Sequence, residues 1–373
     1  MKIAIIIGTR PEIIKMSPII RECEKQGIGY YVLHTGQHYS YEMDRIFFDQ
    51  LKLSKAKYNL DVGSGKHGEQ TAKMLAGIEE ILIKDRPDVV LVQGDTNTVI
   101  AGALAASKLQ IKIGHIEAGL RSFNRTMPEE TNRIVADHTS DYLFTPTETS
   151  RKHLLNEGVS CDKIFVTGNT VVDAVYQNLE ISKNRADILE KLSLNEKEYF
   201  TATVHRAENV DSKERLEQII SGFSQIYKEY GFPIIFPAHP RTVKMIGEFS
   251  LKVPEGTRLI EPLGYLEFLQ LESSASLIFT DSGGVQEEAC ILRVPCITLR
   301  ENTERPETVD VGANLIAGSG EKIIEYTRKM LESDSKWENP FGNGNAAELI
   351  LQNTVIGCSI ERSNVQNQEQ IQY

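Results

Sequence analysis

A chain of 373 residues with 40% hydrophobic and 25% charged content has the balance of a globular protein and is long for one core, so two domains are expected. Its 41 Lys and Arg against 52 Asp and Glu leave a formal net charge of −11, which argues against a general nucleic-acid binder but not against a small anion held by a local arginine cluster. Five scattered cysteines without a CxxC spacing give neither a disulfide framework nor a zinc site, and no apolar run approaches the roughly 20 residues that span a bilayer.

The chain opens into Ile3-Ala4-Ile5-Ile6-Ile7, an apolar run of strand length with no signal-peptide pattern before it, so a cytoplasmic protein is expected. The run turns at Gly8-Thr9-Arg10-Pro11, where Pro11 suits a first helical position, and a helix to about Gln26 follows. A strand comes next near 30–34, then helical periodicity over 67–83. Val89-Val90-Leu91-Val92 reads as a buried strand ending at Gly94-Asp95-Thr96, and 98–108 is an alanine-rich helix. A strand over 111–116 leads through an arginine-containing loop to a helix over about 128–139, with short strands near 142–144 and 164–166. Strands that are apolar throughout and alternate with helices predict a parallel sheet covered on both faces, with ligands at the carboxyl ends of its strands. Gly8, Gly94 and His115 all fall at such ends.

A helix to about Ser182 and a charged stretch over 183–197 mark the boundary region. The alternation restarts over 199–204 and continues through 234–236, 258–260, 277–280 and 296–299, with late helices over 322–331 and 346–351. The expected division is an N-terminal domain over 1–170, completed by a helix near 344–356, and a C-terminal domain over 171–343. The polar, Gln- and Asn-rich segment over 359–373 is expected to be a disordered tail. The fold class is α/β, with two Rossmann-like doubly wound domains facing a central cleft, and hinge motion belongs to that architecture.

The richest stretch is Asp281-Ser282-Gly283-Gly284-Val285-Gln286-Glu287-Glu288. It follows the strand-like run Leu277-Ile278-Phe279-Thr280 and leads into a helix expected from Val285. A strand, a two-glycine turn and a helix start make an anion site, and a carboxylate just inside the helix suits ribose hydroxyls. Capping acids at an ordinary turn would look the same. Arg10 and Lys15 flank the first helix start and together can oppose a diphosphate. Asp95, Glu117 and Glu130 follow neighbouring strands or open a helix. Taken singly, each acid fits a capping role better than a catalytic one; three at adjacent strand ends shift that balance. In the second half, His205-Arg206, His239-Pro240-Arg241 and the segment from Arg300 to Glu307 end strands. Neither glycine turn has a GxGxxG spacing, which weakens a dinucleotide redox reading.

In this order the motifs resemble one family closely, the non-hydrolysing UDP-N-acetylglucosamine 2-epimerases, two-domain enzymes of glycosyltransferase-B-like fold. The matching segments are Gly8-Thr9-Arg10-Pro11-Glu12 with Lys15, Gln93-Gly94-Asp95-Thr96, the run from Gly114 through His115 and Glu117 to Arg121, and Pro128-Glu129-Glu130-Thr131-Asn132-Arg133. Thr145-Pro146-Thr147-Glu148, Thr167-Gly168-Asn169-Thr170, His205-Arg206, Thr280 to Gly284, Gln286-Glu287-Glu288 and Glu304-Arg305-Pro306-Glu307 complete the set. The resemblance implies that Arg10, Lys15, Asp95, Glu117, Glu130, His205, Phe268, Ser282, Gly283, Gly284, Glu288 and Arg305 line a UDP-sugar site, with Asp95, Glu117, Glu130 and His205 as the catalytic group. It implies elimination of UDP to a 2-acetamidoglucal and re-addition with inversion at C2, no cofactor because no hydride moves, and a homodimer. Where relatives often carry a glutamine shortly before the aromatic position, this chain has Leu263. Gln37-His38 matches a pair found at an allosteric UDP-GlcNAc site in bacterial relatives. A hydrolysing 2-epimerase, a glycosyltransferase of the same fold and a non-catalytic UDP-sugar sensor are the competing readings.

Overall fold

The computed structural model describes residues 1–37, 41–183, 187–333 and 336–357, with the side chains of 41–43 outside that description. His38, Cys358 and the segment 359–373, for which a tail is expected, lie outside the described residues, so of the Gln37-His38 pair only Gln37 is described. The chain divides into two compact units: Met1–Ala174 together with the segment resuming at Phe341, and Val175–Pro340 between them.

The first unit holds a parallel sheet of seven strands among the described residues: β1 (Lys2–Ile7), β2 (Gly29–His34), β3 (Tyr58–Asn59), β4 (Val89–Gln93), β5 (Lys112–Ile116), β6 (Tyr142–Thr145) and β7 (Ile164–Val166). Their order across the sheet is β3-β2-β1-β4-β5-β6-β7. The second unit repeats the plan with β8 (Phe200–Thr203), β9 (Ile234–Pro237), β10 (Thr257–Ile260), β11 (Leu277–Thr280), β12 (Cys296–Thr298) and β13 (Asn314–Ile316), ordered β10-β9-β8-β11-β12-β13. In each sheet the chain winds outward one way, returns to the middle and winds outward the other way. The reversals fall between β1 and β4 and between β8 and β11. There the connections diverge and leave a crevice at the strand ends.

Burial on both faces explains why these strands are apolar throughout rather than alternating. Ile3 to Ile7 are fully buried. One face packs Ala4, Ile6, Val90 and Val92 against Met74, Ile78 and Leu82 of the helix His67–Lys84 and against Val99 and Ala103 of the helix Asn97–Lys108. The latter helix is alanine-rich and carries Gly102 because it lies close to the sheet: a Cβ on Gly102 would come within 3.0 Å of Val92 and 3.3 Å of Ile6. In the second unit, Phe223 meets Phe279 with ring centroids 5.3 Å apart and Phe236 edge-on at 6.3 Å.

The helix Arg10–Gln26 runs through Pro18. Proline cannot donate to the Ile14 carbonyl, and the Ser17 hydroxyl donates to it instead at 2.8 Å. Past the second unit the chain returns to the first. The Asn169 N–H donates to the Phe341 carbonyl at 2.8 Å, and the Asp173 carboxylate accepts from the Ala346 and Ala347 amides at 3.2 and 3.0 Å. Asp173 thereby caps a final helix over 346–357.

The expected strands are found where the sequence places them, to within a residue or two. The helix expected from Val285 begins at Gly283, with Ser282 as its extended N-cap residue. The helix Tyr41–Gln50 and the short edge strands β3 and β13 carry too little periodicity to be read from sequence. Cys23, Cys290 and Cys296 are buried thiols and Cys161 is exposed. Among the described residues no helix is long and apolar enough to cross a membrane, and no cluster of His, Cys, Asp and Glu could hold a metal ion.

Candidate active site

The first unit gathers its polar residues at the ends of β1, β4 and β5. Glu12, 2% exposed, folds back on the turn after β1 and accepts from the Gly8 and Thr9 amides at 2.7 and 2.8 Å and from the Thr96 hydroxyl at 2.6 Å. Burial pushes its carboxyl above the ordinary range, against the pull of those donors. The start of this helix is thus occupied by the chain's own carboxylate. Arg10 and Lys15, expected to oppose a diphosphate together, each meet an acid in this structure. Arg10 Nε is 3.1 Å from Asp44 and its guanidinium lies over the Phe47 ring at 4.8 Å. Lys15 Nζ is 2.6 Å from Glu117 Oε1. The physical reason is strand order: β4 and β5 bring Glu117 alongside the helix that follows β1, so the nearest countercharge for Lys15 is a carboxylate.

Glu117 has φ +66°, a left-handed conformation that is strained for a side chain with a Cβ and that clusters at functional sites. It is 6% exposed, and Gln93 Nε2 donates to its second oxygen at 2.5 Å. Asp95 meets Arg133 at 2.5 Å, and the other arm of the same guanidinium meets Glu130 at 2.9 Å. Glu130, 1% exposed, also accepts from the Ser122 amide and hydroxyl, both at 3.0 Å, and from the Phe123 amide at 2.9 Å. Burial raises its pKa, but the Ser122 and Arg133 donors outweigh that and hold the carboxyl below its usual range. Glu130 is therefore a saturated anion that fixes the loop before its helix. Below the cluster, buried His115 sits between Asp137, 2.6 Å from Nδ1, and the Gly94 carbonyl, 2.8 Å from Nε2. A cavity of about 320 Å³ beside Asp95 is lined by Gln37, Gln70, Asn97 and Asn132, among others.

In the second unit the loops after β8 and β11 meet at Asp281. This fully buried carboxylate faces His205 Nδ1 at 2.9 Å and accepts from the His205 and Arg206 amides, each at 2.9 Å, and from Asn209 Nδ2 at 3.0 Å. Burial works against it, yet these partners keep it below the usual carboxylate range. Asp281 sets the His205 ring, which is 45% exposed. Gly283 and Gly284 open the following helix at negative φ. A Cβ on them would meet nothing closer than Glu304 at 3.7 Å and Ser282 at 3.9 Å, so their small size leaves open space before the helix start. Arg305 pairs with buried Glu287 at 2.8 Å. Arg300 grips Glu304 through two nitrogens at 2.8 and 3.0 Å, drawing the Glu304 carboxyl down to about 2. A cavity of about 270 Å³ is lined by Val204, His205, Leu263, Phe268, Ser282 and Val285, among others. Glu288, expected to meet a ribose, lies against Tyr265 and Glu272.

Gln93, Arg133, Asp281 and Glu272 are partners that the sequence did not single out. Gln93, Arg133 and Asp281 lie inside matched motifs, but nothing in spacing reveals that the first holds Glu117, the second bridges two acids and the third holds a histidine.

Two doubly wound parallel units with polar loops at their switch points make this a protein of glycosyltransferase-B-like fold. A glycosyltransferase structure from Streptomyces nogalater shares it at a TM-score of 0.57 and 16% identity, covering 94% of this chain and 93% of that one, a likeness of fold alone. The family model for UDP-N-acetylglucosamine 2-epimerase matches residues 21–354. The chain belongs to the UDP-N-acetylglucosamine 2-epimerase family. It is 57% identical over 364 residues to the UDP-N-acetylglucosamine 2-epimerase of Methanocaldococcus jannaschii, covering 96% of this chain and all of that one. A crystal structure of that organism's enzyme with UDP-GlcNAc and UDP matches at a TM-score of 0.84 and 57% identity over 95% of this chain and 100% of that chain. The UDP-2,3-diacetamido-2,3-dideoxy-D-glucuronate 2-epimerase of Pseudomonas aeruginosa is 41% identical, covering 94% of this chain and 99% of that protein.

Proposed function

We propose that this protein interconverts UDP-N-acetylglucosamine and UDP-N-acetylmannosamine without hydrolysis. The C2 proton of the sugar is not acidic until C1 becomes electron-poor. Departure of UDP from C1 makes C1 oxocarbenium-like, a carboxylate removes the C2 proton, and a 2-acetamidoglucal and UDP result. Returning the proton to the opposite face as UDP re-bonds to C1 gives the epimer, and no hydride moves at any point. The observation that carries this reading is Glu117: a carboxylate in a strained backbone conformation, held by Lys15 and Gln93. The Lys15 ammonium lies 2.6 Å from one Glu117 oxygen, and it is as a carboxylate that Glu117 would accept the C2 proton.

Asp95, tethered to Arg133, is the second proton-exchanging acid in this scheme, and Glu130 holds the loop and the arginine beside it. In the second unit, the helix start at Ser282, Gly283 and Gly284, with Arg305, receives the diphosphate, and the cavity at Phe268 receives the base. His205, oriented by Asp281, takes part in proton transfer, and Arg10 stabilises charge on the departing diphosphate. Incubation with UDP-GlcNAc in D₂O, followed by NMR, tests the reading. Deuterium at C2 with UDP-ManNAc at equilibrium is expected; free N-acetylmannosamine would assign the hydrolysing chemistry instead. The Pseudomonas relative motivates a parallel run with UDP-2,3-diacetamido-2,3-dideoxyglucuronate. Faster turnover of that substrate would overturn the assignment of UDP-GlcNAc.

A further inference from the structure

Glu272 lies on the helix Tyr265–Ser273 with no exposed surface. Neither of its carboxyl oxygens meets an N–H or hydroxyl donor among the described residues; what lies within hydrogen-bonding reach is the carboxyl of Glu288. Two carboxylates in contact, one of them fully buried with no donor on either oxygen, do not both ionise at neutral pH. Among the described residues, the other titratable groups that feel Glu272 are Tyr265 on its own helix, Tyr199 just before β8 and Cys296 at the start of β12, and none of these is cationic. Burial, followed by the Glu288 charge, pushes the Glu272 carboxyl well above its ordinary range. The Tyr265 hydroxyl, also buried, lies beside Glu288 and fully buried Asn178.

We propose that Glu272 is a positioning residue: it keeps the one proton of the pair and donates it to Glu288, which is thereby held as a charged acceptor for a vicinal diol. Resting on the function proposed above, that diol is the nucleotide ribose, and Glu288 reaches it from one turn inside the glycine-started helix. Without that proton the Glu288 carboxylate loses one of the donors that fix its orientation. With the Glu272 proton and the Tyr265 hydroxyl on one side, its remaining lone pairs point one way.

The test compares binding of UDP and of 2′,3′-dideoxyuridine diphosphate to the full chain by calorimetry at pH 7. Wild type is expected to bind UDP more tightly than the dideoxy nucleotide. Glu272→Leu is expected to weaken UDP about tenfold, or about 1.4 kcal/mol, and to leave the dideoxy nucleotide unchanged. Glu272→Gln, whose amide donates to Glu288 without titrating, is expected to bind UDP within about threefold of wild type. Infrared difference spectra are expected to show a protonated-carboxyl stretch at pH 7 in wild type that is missing in Glu272→Gln. Equal weakening of both nucleotides by Glu272→Leu, or no weakening, overturns the proposal. So does a wild-type spectrum without the protonated band, a result that stands even where Glu272→Leu does not fold. If wild type binds both nucleotides equally, the ribose reading of Glu288 itself fails, whatever the state of Glu272.

Discussion

Asp281→Asn isolates the role of one buried charge, because the substitution keeps shape and removes only the negative end. In the native structure one oxygen faces His205 Nδ1 at 2.9 Å, and the other takes the Arg206 amide and Asn209 at 2.9 and 3.0 Å. An asparagine has one acceptor oxygen. Two backbone amides and the Asn209 amide compete for it, so its NH₂ turns toward His205. Nδ1 must then accept, its proton moves to Nε2, and the outward nitrogen changes from acceptor to donor. A wrongly protonated general acid–base group costs about 10²–10⁴ in kcat. Loss of one charge-assisted hydrogen bond costs about 1–3 kcal/mol of stability, too little to unfold a domain of ordinary stability. The assay is C2 deuterium exchange with UDP-GlcNAc, alongside urea unfolding of the same sample. Because the two residues act as a unit, Asp281→Asn on a His205→Gln background should cost less than about threefold more. A folded Asp281→Asn enzyme with kcat within about threefold of wild type would refute the tautomer argument.

Glu117→Gln or Asp95→Asn is expected to abolish C2 exchange while leaving UDP affinity near wild type, since neither acid is among the proposed nucleotide contacts; normal epimerisation by either variant removes that acid from the mechanism. Gly168→Ala places a Cβ at φ +81°, 2.9 Å from the Phe341 carbonyl, so it should destabilise the first unit by roughly 1–3 kcal/mol, read as a lower urea midpoint. An unchanged midpoint would mean that the seam where the chain returns is slack. Glu304 is held down to about 2 by Arg300, so this pair contributes stability at pH above the ordinary glutamate range and loses it as pH falls toward about 2. Urea midpoints measured from pH 6 downward should fall less steeply in Glu304→Gln than in wild type, and parallel curves would contradict the pairing.

The central strands were legible because burial on both faces leaves an unbroken apolar signature, as in Ile3 to Ile7. The loops at their ends were legible too, since polar residues directly after such a run have nowhere to go but the crevice. The short edges Tyr58–Asn59 and Asn314–Ile316 were not, because two or three residues cannot display a period. Pairings were the least visible. Lys15 reaches across strand order to Glu117, a relation set by topology and not by spacing. Arg133 reads as an ordinary helix residue until the fold brings it between Asp95 and Glu130. The sequence marks Glu272 for no role, and only the fold shows it completely buried beside Glu288.

The cap that Asp173 places on the helix over 346–357 makes the second unit an insertion within the first. Synthesis runs from the N-terminus, and domains tend to fold as they emerge. Here that order is inverted. The second unit is one continuous segment and has all its parts once Pro340 has been made, while the first still lacks its closing helix and Asp173 still lacks its amides. The acids of the first unit therefore gain their finished scaffold last, after the proposed nucleotide-binding unit is already complete.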